Sequence, residues 1–254
     1  QYVWSNKNFL VLVAAGNSGT DSNTMNGVIE PMSVASPATA KNCLTVGAAE
    51  NYRLSGGYST MKWGSAWPDD YPAAPIKDDY ISRPMSNNVQ GMAAFSSRGP
   101  CNDGRIKPDL VAPGTDIIST RSRRSSDTGW GTVSGNTNYL YMGGTSMATP
   151  LMAGAAGLAR QWVTTTGGVT NPSAALLKAL LITGARDMTP GQYLSGTKQE
   201  IFPRPDKSQG WGHVNLYNAL KPPTNLFLAL IDTNSLTTGK TNTLHPDFEG
   251  RLLH

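Results

Sequence analysis

Four short apolar runs set the rhythm of this chain. The first, "FLVLVAA", covers positions 9–15 and stops at Gly16 and Asn17; the second, "CLTVGAA", covers 43–49. Neither alternates apolar with polar, which predicts strands covered on both faces, as in a parallel sheet. "DLVAPGTDIIST" (109–120) predicts two short strands around a Pro113-Gly114 turn. "YLYM" (139–142) predicts a fourth strand site. The spacing then changes. From Thr145 to about Trp162 the chain reads as helix, with Ala148, Ala153, Gly154, Ala155, Ala156, Gly157 and Ala159 making it small on nearly every face. Its glycines lower helix propensity, so the segment predicts a buried helix whose backbone approaches a sheet closely. Pro150 is expected in the first turn, where its missing N–H costs nothing. A second helix has Asn171 as cap, Pro172 at its first position and Gly184 as its stop. Leu176, Leu177, Leu180 and Leu181 share one of its faces. Strands alternating with helices predict the α/β class.

The stretch from Asn51 to Asn88 breaks that alternation. It carries Trp63, Trp67 and the pairs Asp69-Asp70 and Asp78-Asp79, and reads as a long surface insertion. Paired carboxylates can ligate calcium, but no loop here has EF-hand spacing, so solvated surface charge is the expectation. After Lys221 a diproline precedes β-favouring residues with turn signals at Thr233-Asn234 and Gly239-Lys240. Residues 1–221 therefore read as one domain, and 222–254 as a linker and the truncated start of a β-sandwich domain. The closing "HPDFEGRLLH" follows no pattern.

Composition narrows the function classes. The chain has 254 residues, only 15% of them charged, with 27 Gly and 17 Pro. That describes a loop-rich globular protein with a substantial core. A net charge of +4 from scattered Lys and Arg gives little support to nucleic-acid binding. Arg121, Arg123 and Arg124 cluster among serines and read as an exposed loop. Cys43 and Cys101 follow no metal spacing; Cys43 reads as a small buried apolar residue, and a bridge between the two stays open. No apolar run approaches the roughly 18 residues of a membrane span. The chain opens without Met, so it reads as a piece of a longer protein.

The chemistry centres on "GGTSMATP", positions 143–150. Ser146 lies where a glycine-flanked loop enters a helix. N–H groups at a helix start favour developing negative charge. A serine hydroxyl still needs a base to become a nucleophile, and a serine at a helix start is commonly only a cap. Asn17 ends a strand in "AAGNSG" and could offer its amide to an oxyanion, or serve as a turn residue.

Four stretches in order, "AAGNSG" (14–19), "FSSRGP" (95–100), "KPDLVAPG" (107–114) and "GTSMATPLMAGAAGL" (144–158), resemble the subtilisin-like serine proteases, the subtilases. The resemblance covers about residues 1–220 and is closest to members with a β-sandwich after the catalytic domain. It implies a mostly parallel α/β sheet with helices on both faces, its N-terminal strands missing here. It further implies a serine endopeptidase acting on proteins or peptides, secreted, with no cofactor for the chemistry and room for structural calcium. Ser146 matches the nucleophile. Asn17 matches the side chain that, with the Ser146 backbone N–H, forms the oxyanion hole. Ala14, Ala15 and Gly16 match one wall of the pocket for the residue before the scissile bond, and Ala35, Ser36, Pro37 and Ala38 the other. Thr145 joins them in the substrate-binding set. Small residues on both walls predict a roomy apolar slot. Met147 matches a methionine whose oxidation should impair turnover.

One departure matters. In this family the triad runs Asp, His, Ser, yet the residues before Asn17 include neither Asp nor His. His213, His245 and His254 all follow Ser146, and His213 reads as a packing residue. The upstream segment carrying the triad Asp and His is thus an expected partner, and the chain alone is expected to be inactive. A sheet without its first strands should also expose an apolar edge. Two rivals remain. An α/β-hydrolase would use Ser146 with Asp187 or Asp206 and His213, but "GTSMA" lacks the final glycine of that family's elbow. A pseudoprotease would bind peptides without cutting them.

Overall fold

The computed structural model describes residues 2–83, 90–192 and 198–221, together with Leu228, Leu230 and Asp232. Its centre is a parallel sheet of three strands in the order β1 (Leu12–Ala14), β2 (Leu44–Ala49) and β3 (Leu110–Pro113). Leu12 pairs with Leu44 and Val46 with Leu110, so the apolar runs lie in register. β2 is buried at every position, as a central parallel strand should be. β1 is not covered on both faces as its sequence implied. It is an edge strand of the sheet, and unlike β3 at the other edge each of its residues is only half-buried.

Three further strands form a separate antiparallel sheet. β4 (Ile117–Thr120) and β5 (Thr132–Val133) flank β6 (Asn136–Met142). The apolar runs predict β4 and β6; β5 has too few residues to leave a pattern. Arg121, Arg123 and Arg124 lie in the loop between β4 and β5, and Arg123 and Arg124 are exposed.

Besides a short α1 (Tyr2–Ser5) and α2 (Trp63–Ala66), the helices are α3 (Thr145–Thr165), α4 (Ala174–Gly184) and α5 (Leu216–Leu220). α3 lies against all three strands of the parallel sheet, and α4 and α5 pack behind it. Its sheet-facing stripe is Ala148, Met152, Ala156, Ala159 and Val163, all buried. Burial stops at that stripe: Leu151, Ala153, Gly154, Gly157 and Leu158 are exposed. Small residues all round therefore did not mean burial all round. Pro150 also differs from expectation. The helix starts at Thr145, so Pro150 falls in the second turn. The carbonyl of Ser146 consequently has no helical N–H to accept. In α4 the cap is Ser173, whose Oγ accepts from Leu176 N at 3.0 Å. Asn171 and Pro172 sit before the helix, and Asn171 Oδ1 accepts from Asn8 Nδ2.

The insertion is no mere surface loop. Trp63, Ile76 and Ile81 are fully buried, and with Tyr71 they belong to the main core. Its large apolar side chains are what give it an inner face. Asp69, Asp70 and Asp78 are solvated as expected, whereas Asp79 is buried. Among the described residues no group of three or more His, Cys, Asp or Glu is arranged to hold a metal ion. Both cysteines are buried and free, and Cys43 Sγ lies 3.2 Å from Ala40 O. The expected β-sandwich start falls almost wholly outside the described residues. Asp232 is the exception of note: its carboxylate accepts from the Ser173 N–H (2.6 Å) and hydroxyl (2.5 Å).

Candidate active site

The β1 strand ends by delivering Gly16 and Asn17 to the start of α3. Helix starts leave N–H groups without partners. Gly144, at the N-cap, has no side chain to offer one. Asn17 fills that role from a segment 128 residues away: its Oδ1 accepts from the Thr145 N–H at 2.8 Å and from the Thr145 hydroxyl at 2.9 Å. The Thr145 hydroxyl in turn accepts from Gly16 N at 3.3 Å. Two donors on Oδ1 settle which end of the Asn17 amide is which. Its Nδ2 must then face away from Thr145.

Where Nδ2 points can be located from Gly144. A Cβ placed on Gly144 would stand 3.5 Å from Asn17 Nδ2 and 3.6 Å from Ser146 N. The Asn17 amide nitrogen and the Ser146 backbone nitrogen thus lie close to one position beside Gly144, with Met147 Sδ at 3.4 Å from it. Gly144 has φ +149°, a conformation that side chains rarely adopt, which is a second reason for glycine there. Ser146 itself is exposed beside that point, and so is Asn17.

The matched pocket walls both hang from β2. Ala15 N–H donates to Val46 O at 2.9 Å. The Thr45 hydroxyl donates to Ala38 O at 2.6 Å. Ala15 and Ala38 are buried, Ala14 and Gly16 are half-buried, and Ala35, Ser36 and Pro37 are exposed. Thr145 is buried, and its hydroxyl is spent on Asn17 and Gly16. It positions Asn17. That role could not be read from the sequence, because the contact joins distant segments.

His213, the one histidine among the described residues, sits across the sheet. Its backbone pairs with Arg186, and its Nδ1 lies 2.8 Å from Val214 O. Burial lowers its pKa, and the nearby Arg186 charge adds to that. Asp187 accepts from Thr189 and Gln209, and Asp206 from Ser208 N. Neither acid bonds to His213, so the hydrolase-type order Ser, acid, His is not assembled.

A cleft of about 460 Å3 opens beside Asn17. Asn17, Thr20, Gly143, Trp67, Phe95 and Trp130 are among the residues that line it. Phe95 heads the "FSSRGP" motif, but nothing in the sequence singled out Trp130, because distant segments build this lining.

A profile of the subtilase family matches residues 1–212. The chain is 38% identical over 166 residues to the serine protease AprX of Bacillus subtilis (strain 168), covering 62% of this chain and 27% of that protein. It is 32% identical over 224 residues to pyrolysin of Pyrococcus furiosus, covering 87% of this chain and 13% of the relative. It is 30% identical over 273 residues to the serine protease/ABC transporter B family protein tagD of Dictyostelium discoideum, covering 85% and 14% respectively. The chain thus spans about a quarter or less of these relatives. The fold is similar to that of a solved lanthipeptide protease, with TM-score 0.50 at 18% identity, covering 87% of this chain and 52% of the other. With the profile matching most of its length, the chain belongs to the subtilase family of serine peptidases.

Proposed function

We propose that this chain supplies the nucleophile and oxyanion hole of a serine endopeptidase, and that its general base and acid come from residues outside this sequence. The observation that carries the proposal is the closeness of Asn17 Nδ2 and Ser146 N to one position beside Gly144. Two N–H-bearing nitrogens close to one position beside an exposed serine support an oxyanion hole, which acyl transfer needs. In the reaction Ser146 Oγ attacks the peptide carbonyl and its proton passes to the base. Asn17 Nδ2 and the Ser146 N–H donate to the oxygen as it becomes negative. Collapse expels the amine with a proton from that base, and water then hydrolyses the ester on Ser146. The Ala14–Gly16 and Ala35–Ala38 walls take the residue before the scissile bond, and their small side chains suit a large apolar one.

A fluorophosphonate probe tests this, since it needs an activated serine. The 254-residue chain should stay unlabelled, the longer protein with its upstream segment should label, and Ser146→Ala in that protein should not. Labelling of the chain alone, or of the Ser146→Ala protein, would overturn the proposal.

A further inference from the structure

One basic cluster takes no part in the proposed chemistry. "RSRRSSD", positions 121–127, follows β4, and every residue from Ser122 to Thr128 is exposed. Between Ser122 and Asp127 the one backbone–backbone hydrogen bond among the described residues runs from Ser125 N to Ser122 O, at 3.3 Å. Arg121 closes the base of the loop, donating from Nε to Asp127 O at 2.9 Å and from Nη2 to Ser125 O at 3.1 Å. Arg123 Nε reaches Asn138 Oδ1 at 3.3 Å. Among the described residues Arg124 donates only from its backbone, to Ser122 Oγ at 3.2 Å, which leaves its guanidinium to solvent. Loops of small polar residues with few backbone hydrogen bonds open locally at little cost and are preferred sites of nicking.

The start of the loop, by contrast, is pinned. Thr120 pairs with Tyr139 and Ile118 with Tyr141 in the antiparallel ladder of β4 and β6, and Arg121 N donates to Asn138 O at 2.7 Å. Core side chains lie on both sides of position 124: Leu44, Val46 and Leu110 before it, Met152, Ala156 and Leu177 after it. The hydrogen bond from Thr145 N to Asn17 Oδ1 also joins the two sides. A break in the loop therefore severs one covalent bond and leaves the ladder, the core and the Asn17–Thr145 contact in place.

We infer that the Arg124–Ser125 bond is a cleavage site for a second endopeptidase, one that reads paired basic residues, and that the product is a two-chain molecule still held together by its core. Water adds across the amide, leaving a carboxylate on Arg124 and an ammonium on Ser125. Arg123 and Arg124 offer two adjacent guanidinium groups, which carboxylates in that peptidase's pockets take in bidentate pairs. Self-cleavage is not the route. The walls proposed for the residue before the scissile bond, Ala14–Gly16 and Ala35–Ala38, carry no acid to meet Arg124. The cut places Asn17 on one chain and Ser146 on the other.

The test incubates the 254-residue chain with trypsin, which cuts after accessible Lys or Arg, and separately with a processing endopeptidase that requires paired basic residues. Mass spectrometry should find 1–124 and 125–254 as the first products of both, although the chain has 21 Lys and Arg. The two pieces should co-elute in gel filtration at the volume of the intact chain and separate in denaturant. Arg124→Gln should slow the pair-specific enzyme at least about thirtyfold, because a carboxylate in its pocket is left unpaired. Arg123→Gln should slow that enzyme and leave trypsin little changed. A first cut elsewhere, a parent chain that the pair-specific enzyme leaves whole, or an Arg124→Gln chain cut as fast as the parent would overturn the cleavage site. Pieces that part without denaturant would overturn the two-chain product. A longer protein that cuts itself at this bond, and stops doing so as Ser146→Ala, would overturn the second peptidase. The first three outcomes use no activity of Ser146, so they stand apart from the peptidase reading.

Discussion

Asn17 uses both ends of one amide. Its oxygen caps α3 through Thr145, and its nitrogen lies close to the position a Gly144 Cβ would take, near Ser146 N. These two roles can be separated by substitution. Asn17→Asp keeps the acceptor for Thr145 but replaces the donor, so α3 should stay capped while turnover of the longer protein collapses. Asn17→Ala loses both. Its turnover should fall about 10²–10³-fold with KM little changed, a magnitude carried over from subtilisin rather than derived from this geometry. Thr145→Val removes one of the two hydrogen bonds that orient the amide and should cost about tenfold in turnover. Thr145→Ser should restore most of it, because the hydroxyl returns. Steady-state kinetics with thermal melting of each variant decides these cases. Equal turnover for the parent and the Asn17→Asp protein would remove Asn17 from the oxyanion hole.

Helix starts govern the next level. α3 begins at a glycine with φ +149° and has a proline in its second turn, so local propensity alone does not explain why it starts where it does. Asn17, arriving from β1, completes the start. Gly144→Ala should strain this turn and put a methyl group within 3.6 Å of both Asn17 Nδ2 and Ser146 N. The longer protein should then fold yet lose fluorophosphonate labelling. α4 has an ordinary start by comparison, with Ser173 accepting from Leu176 N. Ser173→Ala should cost about 1 kcal/mol in thermal or chemical melting. A larger loss would show that the Asp232 contact with Ser173 contributes as well.

Three acids tie the insertion to the body of the molecule. Glu50 follows β2, Asp79 belongs to the insertion, and Glu200 lies beyond α4; all three are buried. Glu50 accepts from Trp63 Nε1 at 2.8 Å and from Gln192, and Glu200 accepts from Met92 N and Gln192 N, both at 2.6 Å. Asp79 Oδ1 accepts from Tyr80 N, and its buried Oδ2 has no partner among the described residues. Burial, reinforced by neighbouring carboxylates, raises the pKa of Glu50 and Asp79 well above the ordinary range. Burial also pushes Glu200 up to about 7, against hydrogen bonds from Gln192 and Met92 and the Arg98 charge. Between the unfolded carboxylate range near 4 and these raised values the folded chain holds more protons than the unfolded one. This contribution to stability is therefore complete below the unfolded carboxylate range and is lost progressively as pH rises towards the raised values, about 7 in the case of Glu200. Asp79→Asn keeps the acceptor for Tyr80 and removes one charge. It should be more stable than the parent at pH 8 by more than about 1 kcal/mol, and nearly equal to it at about pH 3.5, below the unfolded carboxylate range. Chemical melting at the two pH values checks this. A difference that does not vary with pH would mean that the acids are not titrating as described.

Much of this was legible in the residues themselves. The unbroken apolar runs marked the parallel strands because a buried strand needs apolar side chains on both faces, and β2 shows this throughout. Leucine spacing marked α4, and four motifs in order marked the family and the serine. Other features follow from contacts that local pattern does not record. β1 is an edge, half of α3 is exposed, and the insertion buries Trp63 and Ile76, because burial depends on which segments pack together. The same holds for chemistry. The sequence by itself determined the residue types at the site and the class of fold. Only the tertiary structure decided that Thr145 holds the Asn17 amide oxygen, and that Trp130 lies against Gly143. Hydrogen bonds and ring contacts act over a few ångströms in space, and the chain brings the Asn17 and Thr145 atoms together from positions 128 residues apart.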